Sequence, residues 1–161
     1  MTISEGQRLP EATFMEFDGK APREVSGAEI FAGRKVVLFG LPGAFTRMCS
    51  AEHLPSYIRT ADTFRARGVD AIVCVAVNDP FVMKAWSDAS GAADAGLRLL
   101  GDPSGAFVRA IGLEFDAPPA GLYGRSRRFA ALVEDGVVKV MNVEPGRECT
   151  VSGGDALLER L

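Results

Sequence analysis

Cys49 is the residue whose place in the sequence most favours chemistry. It comes just before a helix predicted from residue 50 to about residue 67, and it follows the break Pro42-Gly43 after the apolar run 35–41. Sites in open α/β sheets form at the carboxyl ends of strands, and a thiol in the first turn of a helix is shifted toward the reactive thiolate. Thr46, three residues earlier, can bring a hydroxyl to the sulfur. The alternative is that Cys49 is a small buried hydrophobe, as free cysteines often are.

A basic cluster and a single histidine are the other candidates. Arg125, Arg127 and Arg128 precede a predicted strand in a chain whose net charge is −3. A guanidinium could supply fixed positive charge to a thiolate, but a solvated basic turn is the favoured interpretation, because most charged side chains are simply exposed. His53 lies four residues after Cys49 and would share its helix face. A Cys–His nucleophile pair, a proton shuttle and a structural hydrogen bond all stay open as ways in which it would support the site.

The three cysteines, Cys49, Cys74 and Cys149, are too far apart for a C-x-x-C motif. A disulfide scaffold, a zinc site and a thioredoxin-type dithiol are therefore disfavoured, and His53 alone cannot complete a metal site. Cys74 lies in an apolar run, so a buried and inert thiol is expected. Cys149 lies in the polar turn 145–149, where nothing nearby would activate it. No glycine-rich phosphate loop occurs, so no nucleotide cofactor is expected.

Length and composition predict one ordinary domain over residues 1–161. The chain has 47% hydrophobic and 24% charged residues, a typical globular balance. A net charge of −3 and an isoelectric point near 5.2 argue against nucleic acid as a partner. The first residues contain no apolar signal region, and the longest apolar runs are far too short to span a bilayer. A soluble protein of the cytoplasm, with no membrane association, is expected.

Strands and helices alternate along the chain. The predicted strands cover residues 12–17, 35–41, 71–77, 97–100, 129–134 and 137–143. Asn78-Asp79-Pro80 and Asp102-Pro103 are typical helix starts, Asp135-Gly136 predicts a hairpin turn, and a terminal helix is predicted over 155–161. This order, with a helical crossover between the strands 35–41 and 71–77, predicts an α/β fold with a central mixed sheet and helices on both faces.

Residues 42–49, with the sequence PGAFTRMC, fit the P-x-x-x-T-x-x-C motif and resemble the peroxiredoxin family in its type II (peroxiredoxin-5) form. The likeness continues in order through residues 77–86, 125–130 and 142–144, so it covers nearly the whole chain. It implies a thioredoxin-like fold and the reduction of hydrogen peroxide and organic hydroperoxides at a peroxidatic cysteine. A homodimer that uses loops near the active site is implied as well.

By matching position, the resemblance makes Cys49 the peroxidatic cysteine, with Thr46 and Pro42 as its motif partners. Arg128 takes the place of the family's active-site arginine, which reverses the solvated-turn interpretation for this residue alone. In the family a proline usually follows the motif threonine, and Arg47 stands there instead. Activity is expected to survive this change, while the family's preferences for substrate and reductant need not carry over.

The resemblance implies that peroxide oxidises Cys49 to a sulfenic acid. This sulfenic acid must then be reduced, either by one of the other two cysteines or by an external thiol. Some family members have a resolving cysteine in a C-terminal Thr-Cys-Ser segment, and Cys149 lies two residues before the corresponding position in Thr150-Val151-Ser152. Plant-like members have a second cysteine 25 residues after the first, which matches Cys74, but a mid-strand thiol would reach Cys49 only by local unfolding. An external reductant is therefore favoured: glutathione with glutaredoxin first, thioredoxin second.

Two other functions stay open. The same cysteine could serve a redox sensor or a holdase in which peroxide turnover is incidental, although the complete motif argues against this role. A thioredoxin-like disulfide reductase is the weaker alternative, because it would need the C-x-x-C motif that the sequence lacks.

Overall fold

The computed structural model describes residues 1–146 and 148–161, so Arg147 of the polar turn before Cys149 lies outside the described residues. The strands are β1 (Thr13–Phe17), β2 (Pro22–Ser26), β3 (Lys35–Gly40), β4 (Ala71–Ala76), β5 (Leu97–Gly101), β6 (Glu114–Ala117), β7 (Leu122–Ser126), β8 (Phe129–Glu134) and β9 (Val137–Val143). The α-helices are α1 (Gly27–Phe31), α2 (Leu54–Ala66), α3 (Pro80–Ser90), α4 (Ala106–Ala110) and α5 (Gly154–Leu158). A π-helical turn (Cys49–His53) precedes α2, and a 3₁₀ turn (Pro118–Ala120) lies between β6 and β7.

Seven of the strands form one mixed sheet in the order β2-β1-β5-β4-β3-β8-β9. β3, β4 and β5 are parallel, and β8 and β9 continue the sheet as an antiparallel hairpin. Parallel neighbours need a crossover connection, and the π turn with α2 supplies it between β3 and β4. β6 and β7 pair separately as a two-stranded ribbon. The predicted mixed sheet is therefore confirmed.

Different helices cover the two faces of the large sheet. Along β3, Val37 and Phe39 pack in a cluster with residues of α2, α3 and α5, while Val36 and Leu38 pack with residues of α1 and α4. Alternate side chains of a strand point to opposite faces, so a strand buried on both faces has the continuous apolar sequence seen in β3. The predicted covering of both faces is confirmed. Within residues 1–146 and 148–161, no helix has the length and apolar composition that crossing a membrane requires.

Turn chemistry explains the elements that the sequence predicts best. The strands β8 and β9 have the predicted bounds, and Asp135 and Gly136 between them have φ of 48° and 77°, the left-handed values that a two-residue hairpin turn requires. Asp79 caps α3, since its carboxylate accepts a hydrogen bond from a backbone N–H of the first turn (2.9 Å). α4 begins at Ala106, later than predicted, and Asp102 accepts from two backbone N–H groups of its first turn (3.2 and 3.0 Å).

The start of the long helix differs from the regular helix predicted from residue 50. The turn Cys49–His53 is π-helical, and the N–H of Leu54 donates to the carbonyl of Cys49. Pro55 explains the change, because proline has no N–H for the carbonyl four residues earlier and its ring clashes with that carbonyl in a regular helix. The terminal helix α5 ends at Leu158, before the predicted residue 161. β2, α1 and the β6–β7 ribbon are elements that the sequence analysis does not predict.

Candidate active site

The antiparallel pairing of β8 with β3 brings two distant segments together at one end of the sheet. Gly40 pairs with Phe129, so Arg128, the residue before β8, lies beside the loop that follows β3. A Cβ on Gly40 would lie 2.2 Å from the Phe129 ring, so this close approach requires glycine. The segment 41–48, whose last two residues are already helical, leads into the π turn that begins at Cys49. The strand-end site is therefore assembled from this loop and the start of the hairpin.

Two hydrogen bonds fix the path of the backbone in the segment 41–48. The Thr46 hydroxyl donates to the Gly43 carbonyl (2.8 Å), and the Arg125 guanidinium donates to the Pro42 carbonyl (3.0 Å). Because the Thr46 O–H is used in this hydrogen bond, the lone pairs of the Thr46 oxygen are left to accept a hydrogen bond from a bound molecule.

Cys49 is fully buried, and Arg128 is its charged neighbour. Cys49 is 0% exposed, and a terminal guanidinium nitrogen of Arg128 lies 3.3 Å from its Sγ. Arg128 is only 4% exposed, so the solvated-turn interpretation is wrong for this residue. Its Nε has no hydrogen-bond partner among the described residues, which leaves a buried donor for a bound molecule. A guanidinium at this distance stabilises negative charge that develops at the sulfur or on an oxygen beside it.

Arg125 and Arg127, the other arginines of the cluster, make their contacts away from the sulfur. Arg125 donates to the Pro42 carbonyl, and Arg127 donates to the carbonyl of Glu144 (2.9 Å). Both side chains therefore brace backbone that surrounds the site, the first in the loop before Cys49 and the second just after β9.

His53 is buried, and both of its ring nitrogens are occupied. Nδ1 lies 3.1 Å from the Arg128 guanidinium, and Nε2 lies 3.0 Å from the Ser152 carbonyl oxygen. Since a guanidinium only donates and a carbonyl only accepts, Nδ1 is the acceptor and Nε2 carries the proton. Burial and the Arg128 charge lower the pKa of His53 to about 3, so the ring is neutral. Of the three roles that the sequence leaves open, this geometry fits the structural hydrogen bond and leaves neither ring nitrogen for the Cys49 thiol.

All three cysteines are free thiols. Cys74 lies within β4, is 0% exposed and is paired in register with β3 on one side and β5 on the other. The expected burial of Cys74 is therefore confirmed, and this burial raises the pKa of its thiol well above the ordinary value. Cys149 is half-buried and lines a surface cavity beside α2. Burial is also the main reason why the pKa of the Cys149 thiol is raised.

A cavity of about 310 Å³ opens beside Arg128. One wall comes from the loop before Cys49, through Pro42, Thr46 and Met48. The opposite wall is apolar and comes from the β6–β7 ribbon, through Phe115, Ala117, Ala120 and Leu122. The sequence analysis misses this wall because its residues are scattered among charged ones, and the only signal is the Pro-Pro and Gly turn between the two strands. In the part of the chain that the structure describes, no group of three His, Cys, Asp or Glu side chains is placed to hold a metal ion.

Replacing His53 by glutamine should make the folded protein less sensitive to acid. In an unfolded chain the pKa of histidine is about 6.5, whereas burial and the Arg128 charge lower the pKa of His53 to about 3 in the folded protein. Between these values the unfolded state binds more protons, so acid lowers the free energy of unfolding, by about 1.4 kcal/mol per pH unit well inside the window. Glutamine can donate to Ser152 and accept from Arg128, but it does not titrate.

Urea unfolding of both proteins near neutral pH and near about pH 4.5 measures this difference. The wild type should lose about 2 kcal/mol more than His53→Gln on acidification, because the carboxylates titrate alike in the two proteins and cancel. Equal losses would contradict the assignment of His53 as a buried neutral ring.

Comparison with known proteins identifies the family. The family model described as Redoxin matches residues 4–158. Peroxiredoxin-2E-2, a chloroplastic protein of Oryza sativa subsp. japonica, is 49% identical over 99% of this chain and 73% of its own length, and Peroxiredoxin-2C of the same plant is 44% identical over 99% and 98%. The crystal structure of reduced Prx3 from Vibrio vulnificus in complex with hydrogen peroxide is 44% identical, with a TM-score of 0.91 over 99% of this chain and 96% of that chain. The thioredoxin-like fold that the resemblance implies is confirmed, and the chain belongs to the Redoxin family, within it to the type II peroxiredoxins.

Proposed function

We propose that the protein is a thiol peroxidase that reduces hydroperoxides at Cys49. The observation that carries this function is the contact of 3.3 Å between the Arg128 guanidinium and the Cys49 Sγ, in a buried site beside a cavity. The rice relatives are peroxiredoxins by name, and the Vibrio vulnificus relative was crystallised with hydrogen peroxide. Both findings support the proposal.

The reaction begins when the Cys49 thiolate attacks one oxygen of the peroxide in line with the O–O bond. The S–O bond forms as the O–O bond breaks, so the sulfur is oxidised to a sulfenic acid and the peroxide is reduced. The leaving oxygen takes the electron pair, gains a proton and departs as water or an alcohol. Lowering the pKa of a thiol gives more thiolate but a weaker nucleophile, so most of the acceleration has to come from donors that stabilise the leaving oxygen.

Arg128 and Thr46 take complementary parts in this step. The unpartnered Nε of Arg128 is a buried donor that can hold a peroxide oxygen while the charge on that oxygen grows. The Thr46 hydroxyl donates its own hydrogen bond to Gly43, so its oxygen can accept a hydrogen bond from the peroxide O–H and orient the peroxide. Pro42 has no N–H to compete for the peroxide and forms part of the cavity wall.

The cavity also fits the proposed range of substrates. Hydrogen peroxide needs only the polar end beside Arg128 and Thr46. An organic hydroperoxide brings an apolar group as well, and Phe115 and Leu122 of the β6–β7 ribbon provide an apolar wall for it.

Cys49→Ser should abolish peroxide consumption, because a serine hydroxyl cannot form the sulfenic acid. Cys149→Ser makes the same change at another thiol and should leave the rate of the peroxide step unchanged. Stopped-flow mixing with hydrogen peroxide measures both. The fluorescence of Trp86, the single tryptophan, gives the signal, because its indole N–H donates to the hydroxyl of Ser50 (3.0 Å), the residue after Cys49. Full peroxide consumption by Cys49→Ser would overturn the assignment.

We propose further that the sulfenic acid is reduced by a thiol from another molecule, glutathione with glutaredoxin first and thioredoxin second. Cys74 is fixed by strand pairing on both sides, and Cys149 precedes a segment whose backbone is hydrogen-bonded to a buried carboxylate. Glutathione would form a disulfide with Cys49 and release water, and a second thiol would then free Cys49. Free thiols at all three cysteines are compatible with a reducing compartment such as the cytoplasm. The cytoplasmic location stays a prediction.

A panel of reductants should give the fastest sustained turnover with glutathione and glutaredoxin. The double variant Cys74→Ser/Cys149→Ser should turn over as the wild type does, because neither thiol takes part. After peroxide and glutathione, mass spectrometry should find glutathione on Cys49. An intramolecular disulfide to Cys74 or Cys149, together with loss of turnover in the double variant, would contradict the proposal. Oxidation of Cys49 without turnover on any reductant would favour the redox sensor or holdase.

We propose in addition that two copies of the chain form a homodimer near the active-site loop. Phe45 in that loop has φ of 63°, a conformation that a bulky residue seldom adopts, and it is 54% exposed. Phe81, in the first turn of α3, is 59% exposed, and the Phe45 ring lies 6.5 Å from the ring of Trp86 on the same helix. Large apolar side chains that are exposed on the surface are typical of an interaction surface, and the resemblance to the family suggests a second copy of the chain as the partner.

Phe81→Arg should weaken the dimer, since it places a charge in an apolar contact. Leu161→Arg is the matched control, because Leu161 is also exposed (37%) but belongs neither to the loop that contains Phe45 nor to α3. Light scattering over a range of concentrations should show a dissociation constant about tenfold or more higher for Phe81→Arg and an unchanged one for Leu161→Arg. A wild-type protein that is a monomer at all concentrations would contradict the proposal.

A further inference from the structure

Building on the peroxidase function proposed above, we propose that Glu144 is a positioning residue for the peroxide step. Its carboxylate holds residues 150–152, here called the strap, and through Ser152 and His53 it holds the guanidinium of Arg128. Glu144 directly follows β9 and is 0% exposed. A buried carboxylate needs a full set of hydrogen-bond donors, and the strap provides them.

Five hydrogen bonds join the Glu144 carboxylate to the strap. One oxygen accepts the backbone N–H groups of Thr150, Val151 and Ser152, each at 2.8 Å, and the Ser152 hydroxyl at 2.7 Å. The other oxygen accepts the Thr150 hydroxyl at 3.0 Å. Burial alone would raise the pKa of the Glu144 carboxyl, but these hydrogen bonds together lower it. Three successive N–H groups converging on one oxygen fix the backbone of the strap.

The strap in turn fixes the imidazole ring of His53. The carbonyl oxygen of Ser152 accepts the Nε2–H of His53 at 3.0 Å and the hydroxyl of Tyr57 at 2.6 Å. The Tyr57 ring is stacked on Phe39 at a centroid distance of 4.0 Å, so the core holds the second donor in place. The position of one carbonyl therefore sets both the tilt and the tautomer of the His53 ring.

The ring then fixes the guanidinium. His53 Nδ1 accepts from the same terminal nitrogen of Arg128, at 3.1 Å, that lies 3.3 Å from the Cys49 sulfur. Glu144 also holds Arg128 through its backbone, since its N–H donates to the Arg128 carbonyl at 2.9 Å. A side-chain substitution leaves this backbone bond in place, so it tests the route through the strap alone.

The rate of the peroxide step depends on where the Arg128 donors point. If the strap moves, the His53 ring loses its anchor at Ser152 and Arg128 loses its fixed acceptor at Nδ1. A misplacement of about 1 Å at a catalytic group can cost about 100-fold in rate. Alkylation of Cys49 by iodoacetamide needs the thiolate but no donor for a leaving oxygen. The ratio of the two rate constants therefore separates misplacement of Arg128 from general loosening of the protein.

Three variants of Glu144 distinguish position from charge. Glu144→Ala removes the acceptor, and Glu144→Asp keeps the charge but withdraws it by one methylene. Both should lower the ratio of the hydrogen peroxide to the iodoacetamide rate constant by about 10- to 100-fold. Glu144→Gln should stay within about threefold of the wild type, because its amide oxygen can accept the three N–H groups and the Thr150 hydroxyl can turn to accept its NH₂.

Glu134→Ala is the matched control, since Glu134 ends β8 and its side chain is 44% exposed; its ratio should not change. If Glu144→Ala does not fold, Glu144→Asp carries the test. Wild-type ratios in both Glu144→Ala and Glu144→Asp would overturn the proposal, and so would a Glu144→Gln ratio as low as that of Glu144→Ala. A wild type with no Cys49-dependent peroxide reduction would instead contradict the peroxidase function itself.

Discussion

The buried contact between Arg128 and Cys49 depends on one constraint, the register of β8 against β3. The two residues are 79 positions apart in sequence, and the pairing of Gly40 with Phe129 brings their segments together. A slip of one residue would turn every side chain of β8 to the opposite face of the sheet. The close approach of the Phe129 ring to Gly40 helps to fix the register, because a side chain at position 40 would collide with it. The geometry of the site is thus inherited from the sheet.

A guanidinium can be buried without a large energetic cost only when neighbouring groups accept hydrogen bonds from its N–H groups and carry no positive charge themselves. The sulfur of Cys49 and the neutral ring of His53 meet that condition. A protonated ring would place two cations face to face, so the neutral state of His53 matters as much as the charge of Arg128. The carbonyl of Ser152 keeps the ring proton on the far nitrogen, which leaves the near one as an acceptor.

Local patterns predict the elements whose cause is local. Asp135-Gly136 determines the hairpin, and the apolar run of β3 reflects burial on both faces. The π turn is not predicted, because the apolar spacing indicates a regular helix and the local effect of Pro55 does not show in that spacing. Cys49 is indicated by its place at a strand end. Arg128 is distinguished from Arg125 and Arg127 only by the resemblance to the family. Glu144 lies in the segment 142–144 that carries the family likeness, but the sequence predicts no role for it. Its partners follow in a segment without regular structure, and no pattern in the sequence links them to it.

The hydrogen bond between His53 and Ser152 spans 99 positions in the sequence, and this has a consequence for the order in which the protein becomes reactive. A chain made from its N-terminus presents Cys49 to the cell long before residue 152 exists. Until the strap has docked, that thiol has neither a fixed guanidinium nor an oriented imidazole beside it. We therefore expect fast reaction with peroxide only after residues 150–152 have been synthesised and have docked. Before that, Cys49 should react with oxidants as slowly as an ordinary cysteine.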